Sequence, residues 1–109
     1  MSMKAKIINK RMCLVTQTDG GPERFNMLVF KDEEMIVSAY CREGSLWYID
    51  FNFNYKEDKK TLRIVKKLLS PYTKFKTKNH ELYFYDDLCK WKQVKMNKFL
   101  GPYDDYPFA

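Results

Sequence analysis

The residues best suited to hold a metal ion are three cysteines and one histidine. Cys13, Cys41, Cys89 and His80 supply four possible ligands, which is the number that zinc takes in a structural site. Zinc ligands usually come in close pairs such as C-x₂-C, and no two of these residues are close in the chain. Cys13 and Cys41 lie among apolar residues, as small buried side chains do. We therefore expect no metal site and no other cofactor.

Catalysis finds little support in the spacing of the remaining reactive groups. A cysteine–histidine pair would need a thiol beside His80, and nothing in the spacing requires one there. Asp50 and the segment Glu57–Lys59 follow the order of acids and lysine found in some metal-dependent nucleases. Such a site needs carboxylates that converge on a metal, whereas acids at the start of a helix favour the positive end of its dipole. We expect no enzyme activity and no small-molecule substrate.

Cations are concentrated in the second half of the chain, where they alternate with aromatic residues. Residues 56–98 carry thirteen basic and five acidic residues, a net charge of +8, whereas residues 1–55 are neutral overall. Cations neutralise nucleic-acid phosphates and exposed rings stack on unpaired bases, although a solvated basic surface is the alternative interpretation. The predicted nucleic-acid-binding residues are Lys56, Lys59, Lys60, Arg63, Lys66, Lys67, Lys74, Lys76, Lys78, Tyr83 and Tyr85.

The C-terminal tail offers a second kind of binding chemistry. Residues 99–109 contain two aspartates and two prolines, and we expect an extended acidic-aromatic tail. Aromatic side chains often anchor protein interfaces, so Tyr103, Tyr106 and Phe108 are the predicted partner-binding residues. The tail supports an alternative function, that of an inhibitor or adaptor of the phage-encoded type that acts by protein–protein contacts alone.

A basic amphipathic helix is the clearest element and is predicted between Asn54 and Pro71. At about 100° per residue, its apolar residues fall on one side and its cations on the other. Asn54 and Glu57 form a predicted capping box at its start, and Pro71 ends it because proline disfavours helical geometry at Ser70. One side should pack on a core, while six positive charges face the solvent.

Four strands are predicted before this helix, because short apolar and β-branched runs alternate there with turn signals such as Asp19–Pro22. They cover residues 4–18 with a polar break at 9–11, then 25–31, 35–42 and 46–53. Short connections without helices favour an antiparallel meander. In the fourth strand, the residues predicted to face the helix are Trp47, Ile49, Phe51 and Phe53. Those predicted to face the other way are Tyr48, Asp50 and Asn52.

The segment after the helix is predicted to contain a hairpin and then a second helix. Residues 73–78 and 81–85 form the arms of the hairpin, with Asn79 and His80 at its turn. The pair Asp86–Asp87 could cap a helix over residues 88–99, in which Leu88, Trp91 and Val94 recur at helical spacing, and a strand is the alternative there. The chain is thus predicted to be one α+β domain over residues 1–109.

The expected location is a reducing cytoplasm, since three scattered cysteines make no disulfide framework. The first residues show no signal-peptide pattern, and no apolar run approaches the length of a membrane span. These observations together predict a small basic binding protein without catalysis. Its expected partner is nucleic acid, or a nucleic-acid-handling protein with an acidic surface.

Overall fold

The computed structural model describes residues 2–18 and 23–96. Of these residues, 56% lie in strands and 12% in the single helix, so the described part is mostly β. The prediction of a balanced α+β domain with a second C-terminal helix is therefore wrong. The elements are β1 (Ser2–Ile7), β2 (Met12–Thr18), β3 (Arg24–Lys31), β4 (Glu34–Arg42), β5 (Ser45–Phe51), α1 (Lys59–Leu69), β6 (Phe75–Lys78), β7 (Glu81–Tyr85), β8 (Trp91–Gln93) and β9 (Lys95–Met96).

The antiparallel meander is confirmed by strand pairing in sequence order, but it has five strands where four were predicted. The polar break at residues 9–11 lies in a turn that divides the predicted first strand into β1 and β2. Strand β9 adds to the far edge in parallel to β5, so the large sheet has six strands. Strands β6, β7 and β8 form a separate small sheet. The loops Asp32–Glu33, Glu43–Gly44 and Asn79–His80 all have positive φ at both residues. Such two-residue turns match the right-handed twist of the strands that they join.

The main core lies between one face of the large sheet and the elements that cover it. Strand β4 contributes Val37, Ala39 and Cys41 to this face, and all three are fully buried. The helix contributes Val65 and Leu69 to the same core, as its apolar side predicts. The small sheet adds its own apolar residues, which are Leu82, Phe84 and Val94. The helix and the small sheet are thus held by one shared core.

A β-bulge in strand β5 overturns the predicted direction of Trp47. Tyr40 pairs with Tyr48, but the next residue of β4 pairs with Leu46, so Trp47 is the extra residue. Its ring contacts Tyr40 at a centroid distance of 6.2 Å, and the Arg42 guanidinium lies 5.0 Å from it. Leu46 enters the core in its place and is fully buried. The predicted alternation of core-facing and outward-facing residues in β5 holds only on the C-terminal side of the bulge.

The helix starts later than predicted, with Asp58 rather than Asn54 as its N-cap. Asp58 accepts hydrogen bonds from the Thr61 amide at 3.1 Å and from the Lys31 ammonium at 2.7 Å. These donors lower the pKa of Asp58 to about 2. Asn54 instead organises the preceding turn, where its side chain accepts from the Lys56 amide. Lys56 therefore precedes the helix, and the capping-box prediction is wrong.

Two short strands, β8 and β9, take the place of the predicted second helix, because Asp86 caps a turn before them. Its Oδ1 accepts from the amides of Leu88 at 2.9 Å and Lys90 at 2.8 Å, and Cys89 has a φ of 58°. Burial of Asp86 raises its pKa, but these amides and the Lys92 ammonium outweigh burial, and the net pKa is lowered. The chain reverses at this turn, and β8 pairs with β7. Leu88, which was predicted to share the apolar side of a second helix with Trp91 and Val94, is 65% exposed.

Candidate nucleic-acid interface

The side of the small sheet that faces away from the core combines lysines with aromatic rings. Tyr83 lies between Lys76 and Gln93 in register, and Tyr85 lies beside Trp91. Cross-strand partners project to the same face of a sheet, opposite to the buried Leu82 and Phe84. We name this surface the outer face, and it comprises Lys76, Lys78, Glu81, Tyr83, Tyr85, Trp91 and Gln93. Its acidic member, Glu81, forms an ion pair with Lys56.

The rings of the outer face are held in place by each other and by a lysine. Tyr85 and Trp91 make an edge contact with centroids 5.0 Å apart and an interplanar angle of 61°. The Lys76 ammonium lies 4.3 Å from the centre of the Trp91 ring, in cation–π geometry. Trp91 is nevertheless 39% exposed. An aromatic surface is thus open to solvent next to a cation.

Trp91 is the functional candidate that the sequence reasoning missed, because it was assigned to a helix. Apolar residues at 91 and 94 have helical spacing, so hydrophobic alternation gave no signal for it; the strand alternative for residues 88–99 would have placed Trp91 and Gln93 on one face. Trp91 and Gln93 face outward, whereas Val94 is buried and its amide donates to the Leu82 carbonyl at 2.8 Å. Lysines 74 and 78 flank this region, and both are exposed as predicted.

One predicted phosphate ligand, Lys56, already has an acidic partner. Its ammonium lies 2.8 Å from Glu81, which also accepts from Gln93 at 3.1 Å. The hydrogen bond raises the pKa of Lys56 and lowers the pKa of Glu81. Because its charge is compensated, Lys56 contributes less to an anion site than the prediction assumed. It also joins the turn before the helix to the small sheet.

The other predicted cations of the helix have no acidic partner among residues 2–18 and 23–96. Lys59, Lys60 and Arg63 are exposed, and Lys66 is half-buried. Lys67 lines a groove beside β1 and is thereby separated from the residues of the outer face. The predicted set thus belongs to more than one surface.

The residues weighed for catalysis or metal binding are dispersed. His80 lies exposed in the β6–β7 turn, and Cys89 is exposed in the turn after β7. Cys41 is fully buried, and burial raises the pKa of its thiol to about 12. In the part of the chain that the structure describes, no three His, Cys, Asp or Glu residues form a group that could hold a metal ion. Asp58 is occupied in capping the helix.

The predicted partner-binding residues Tyr103, Tyr106 and Phe108 lie outside the described residues, as does the predicted turn at Asp19–Pro22. Within the described ranges, no helix is long and apolar enough to cross a membrane. No family model matches the chain, and comparisons with curated proteins and with solved structures found no match.

Proposed function

We propose that the protein binds unpaired nucleic acid through the outer face and does so without catalysis. The observation that carries the proposal is the exposed Trp91 ring, held against Tyr85 with the Lys76 ammonium 4.3 Å away. Aromatic rings on a sheet stack on bases whatever their identity, because every base has a π-face. The expected binding is therefore tolerant of sequence.

Binding would exchange one partner of Trp91 for another. A base that stacks on the indole displaces the Lys76 ammonium from the ring. The freed ammonium can then pair with the phosphate next to that base, as lysines 74 and 78 can with its neighbours. Stacking contributes about 1–3 kcal/mol per base, which adds to the phosphate contacts and favours unpaired over paired bases.

The uncompensated cations of the helix support this function at longer range. Lys59, Lys60 and Arg63 are exposed and raise the local positive potential, which attracts a polyanion and increases its association rate. A reducing compartment such as the cytoplasm is part of the proposal, since Cys13, Cys41 and Cys89 are all free thiols. A nucleic-acid-handling protein with an acidic surface would meet the same cations.

The test compares two variants that lose the same charge from different surfaces. The outer-face variant carries Lys74→Gln, Lys76→Gln and Lys78→Gln, and the helix variant carries Lys59→Gln, Arg63→Gln and Lys66→Gln. A labelled thymidine oligonucleotide is titrated with each protein over a salt series, and anisotropy gives the affinity. The outer-face variant should lose about 2 units of salt slope, at about 0.7 per phosphate contact on single strands. The helix variant should lose less.

Two outcomes contradict the proposal. If the outer-face variant keeps the affinity and slope of the wild type, the lysines around Trp91 do not meet phosphates. If a duplex of the same length binds as tightly as the single strand, base stacking has no role, because duplex bases are not accessible to the rings. Circular dichroism of both variants checks that each retains the fold.

A further inference from the structure

A groove beside strand β1 is a large concave surface that the proposed function does not use. It has a volume of about 1040 Å³. Its floor is apolar, with Leu14 and Phe25 from the sheet, and the helix side adds Leu68 and Tyr72. Strand β1 forms the opposite side. We name this surface the β1 groove.

The charge around the β1 groove is of one sign. Lys4, Lys6 and Lys67 line it, and no acidic residue does. Within residues 2–18 and 23–96, none of these three lysines has an ion-pair partner. The apolar floor suits aromatic or aliphatic side chains, and the lysines suit carboxylates. The complementary ligand is therefore an acidic segment with large apolar side chains.

Strand β1 also offers backbone groups to such a segment. It lies at the edge of the large sheet, and its outer side pairs with no strand among the described residues. All six of its residues are exposed. An extended peptide can add to such an edge by main-chain hydrogen bonds while its alternate side chains enter a neighbouring groove. The geometry thus favours a peptide over a compact ligand.

We propose that the β1 groove binds the segment Tyr103–Phe108 of a second copy of this chain. That segment contains Asp104 and Asp105 for the lysines, and three aromatic side chains for the apolar floor. Two copies can exchange their segments reciprocally, which closes the assembly as a symmetric dimer. The acidic-aromatic composition that marked this segment in the sequence thereby gains a matching receptor surface.

The length of the intervening chain favours a second copy over the same copy. The last described residue, Met96, lies in β9, which is at the opposite edge of the large sheet from β1. A segment that pairs with the outer edge of β1 lies six strand spacings from β9, which is about 29 Å at about 4.8 Å each. Seven Cα steps from Met96 to Tyr103 span at most about 25 Å when fully extended. The segment of the same copy is therefore too short to begin pairing at that edge.

The experiment is a charge reversal that is read by sedimentation velocity on the full chain. The groove variant carries Lys4→Glu and Lys6→Glu, and the segment variant carries Asp104→Lys and Asp105→Lys. Wild-type protein should associate with rising concentration, and added salt should weaken the association. Each variant alone should show a dissociation constant about tenfold or more higher, because like charges now face each other. Their equimolar mixture should associate again, since both contacts are then complementary.

A control with the same change of charge elsewhere is Lys90→Glu with Lys95→Glu, two exposed lysines of neither surface, and it should associate as the wild type does. Three results would overturn the proposal. These are a wild type that stays monomeric at millimolar concentration, a groove variant that associates unchanged, or a mixture of two folded variants that fails to associate. Nucleic-acid binding does not enter these measurements, so the result is independent of the function proposed for the outer face.

Discussion

The outer face and the β1 groove are made of the same residue types in opposite shapes. On the outer face, Lys76 and Trp91 lie on a sheet and contact each other directly. In the β1 groove, the aromatic ring of Phe25 lies in the floor, and Lys4 and Lys6 lie on the edge strand. The first arrangement presents a ring surface with a cation beside it, and the second presents a concavity with cations around it.

The difference shows that composition alone does not determine the ligand. A protruding ring offers its face to a flat base, whereas a concave apolar floor accepts a side chain that enters from a partner. The outer face therefore fits a stack of bases with phosphates alongside, and the β1 groove fits an acidic peptide.

The largest expected effect is on stability, where a helix residue buried in the main core should differ from one that lines the β1 groove. Leu69 is 1% exposed in the main core, whereas Leu68 is half-buried and lines the β1 groove. Leu69→Ala should lower the free energy of unfolding by about 2–5 kcal/mol, as core truncations do. Leu68→Ala should cost roughly 1 kcal/mol, because less apolar area is removed from water there. Urea denaturation measures both, and equal costs would mean that the groove is closed in solution.

The second prediction isolates the stacking platform. Trp91→Ala should weaken binding of a single-stranded oligonucleotide by about tenfold or more, which corresponds to the 1–3 kcal/mol of a stacked base. The matched control is Tyr48→Ala, because Tyr48 is 53% exposed on the large sheet. Fluorescence anisotropy should show no change for this control. If a folded Trp91→Ala protein binds as the wild type does, the outer face is not the platform.

The third prediction changes stability without touching either surface. The pKa of Asp58 is lowered from 3.8 to about 2, chiefly by its hydrogen bond to Lys31. A lowered folded pKa stabilises the fold above the unfolded value, and this contribution is lost as pH falls from 3.8 towards 2. Because the side chain is 36% exposed, we expect Asp58→Asn to cost only about 1 kcal/mol at neutral pH.

Thermal unfolding of the wild type and of Asp58→Asn at pH 7 and at pH 2 measures this difference. The two proteins should differ at pH 7 and differ much less at pH 2, where about half of the folded molecules carry a protonated Asp58. A difference that does not change with pH would mean that the ion pair with Lys31 contributes nothing. Both binding activities should be unaffected at neutral pH, since Asp58 lies on neither surface.

The smallest effect concerns the hairpin that carries the outer face. His80 has a φ of 64° in the β6–β7 turn, a conformation that costs less for glycine than for other residues. His80→Gly should therefore stabilise the protein by roughly 0.5 kcal/mol, since Asn-Gly is the preferred sequence of such turns. Nucleic-acid binding should be retained. A loss of binding in this stabilised variant would give His80 a role in the interface.

Patterns within short stretches of the sequence predicted the elements whose structure depends on residues close together in the chain. The apolar side of the helix, the meander and the Asn79–His80 turn follow from periodicity and turn residues, and all are confirmed. The choice between Asn54 and Asp58 as N-cap could not be made from the sequence, because both residue types cap helices well. Lys31, which lies on a distant strand and bonds to Asp58, favours the second.

The same limit explains the parts of the candidate site that were missed. Asp86 is as suitable for a turn as for a helix N-cap, and pairing with β7 decides the outcome. Because residues 88–99 were predicted as a helix, Trp91 was not assigned to the binding surface. The bulge beside Tyr40 gives Trp47 a direction opposite to the predicted one. The β1 groove takes residues from three strands and the helix, so no single stretch of sequence indicates it.

The hydroxyl of Tyr55 gives the small sheet an unusual dependence on a segment outside it. It accepts from the Leu82 amide at 3.0 Å and donates to Glu81 at 3.3 Å. The Leu82 carbonyl accepts from the Val94 amide, so one buried residue joins the turn before the helix, the hairpin and the strand that follows. In terms of amide hydrogen exchange, the Leu82 amide is released only when its bond to the Tyr55 hydroxyl breaks. Tyr55→Phe should therefore speed the exchange of this amide, which makes it a probe of the contact between the turn before the helix and the hairpin.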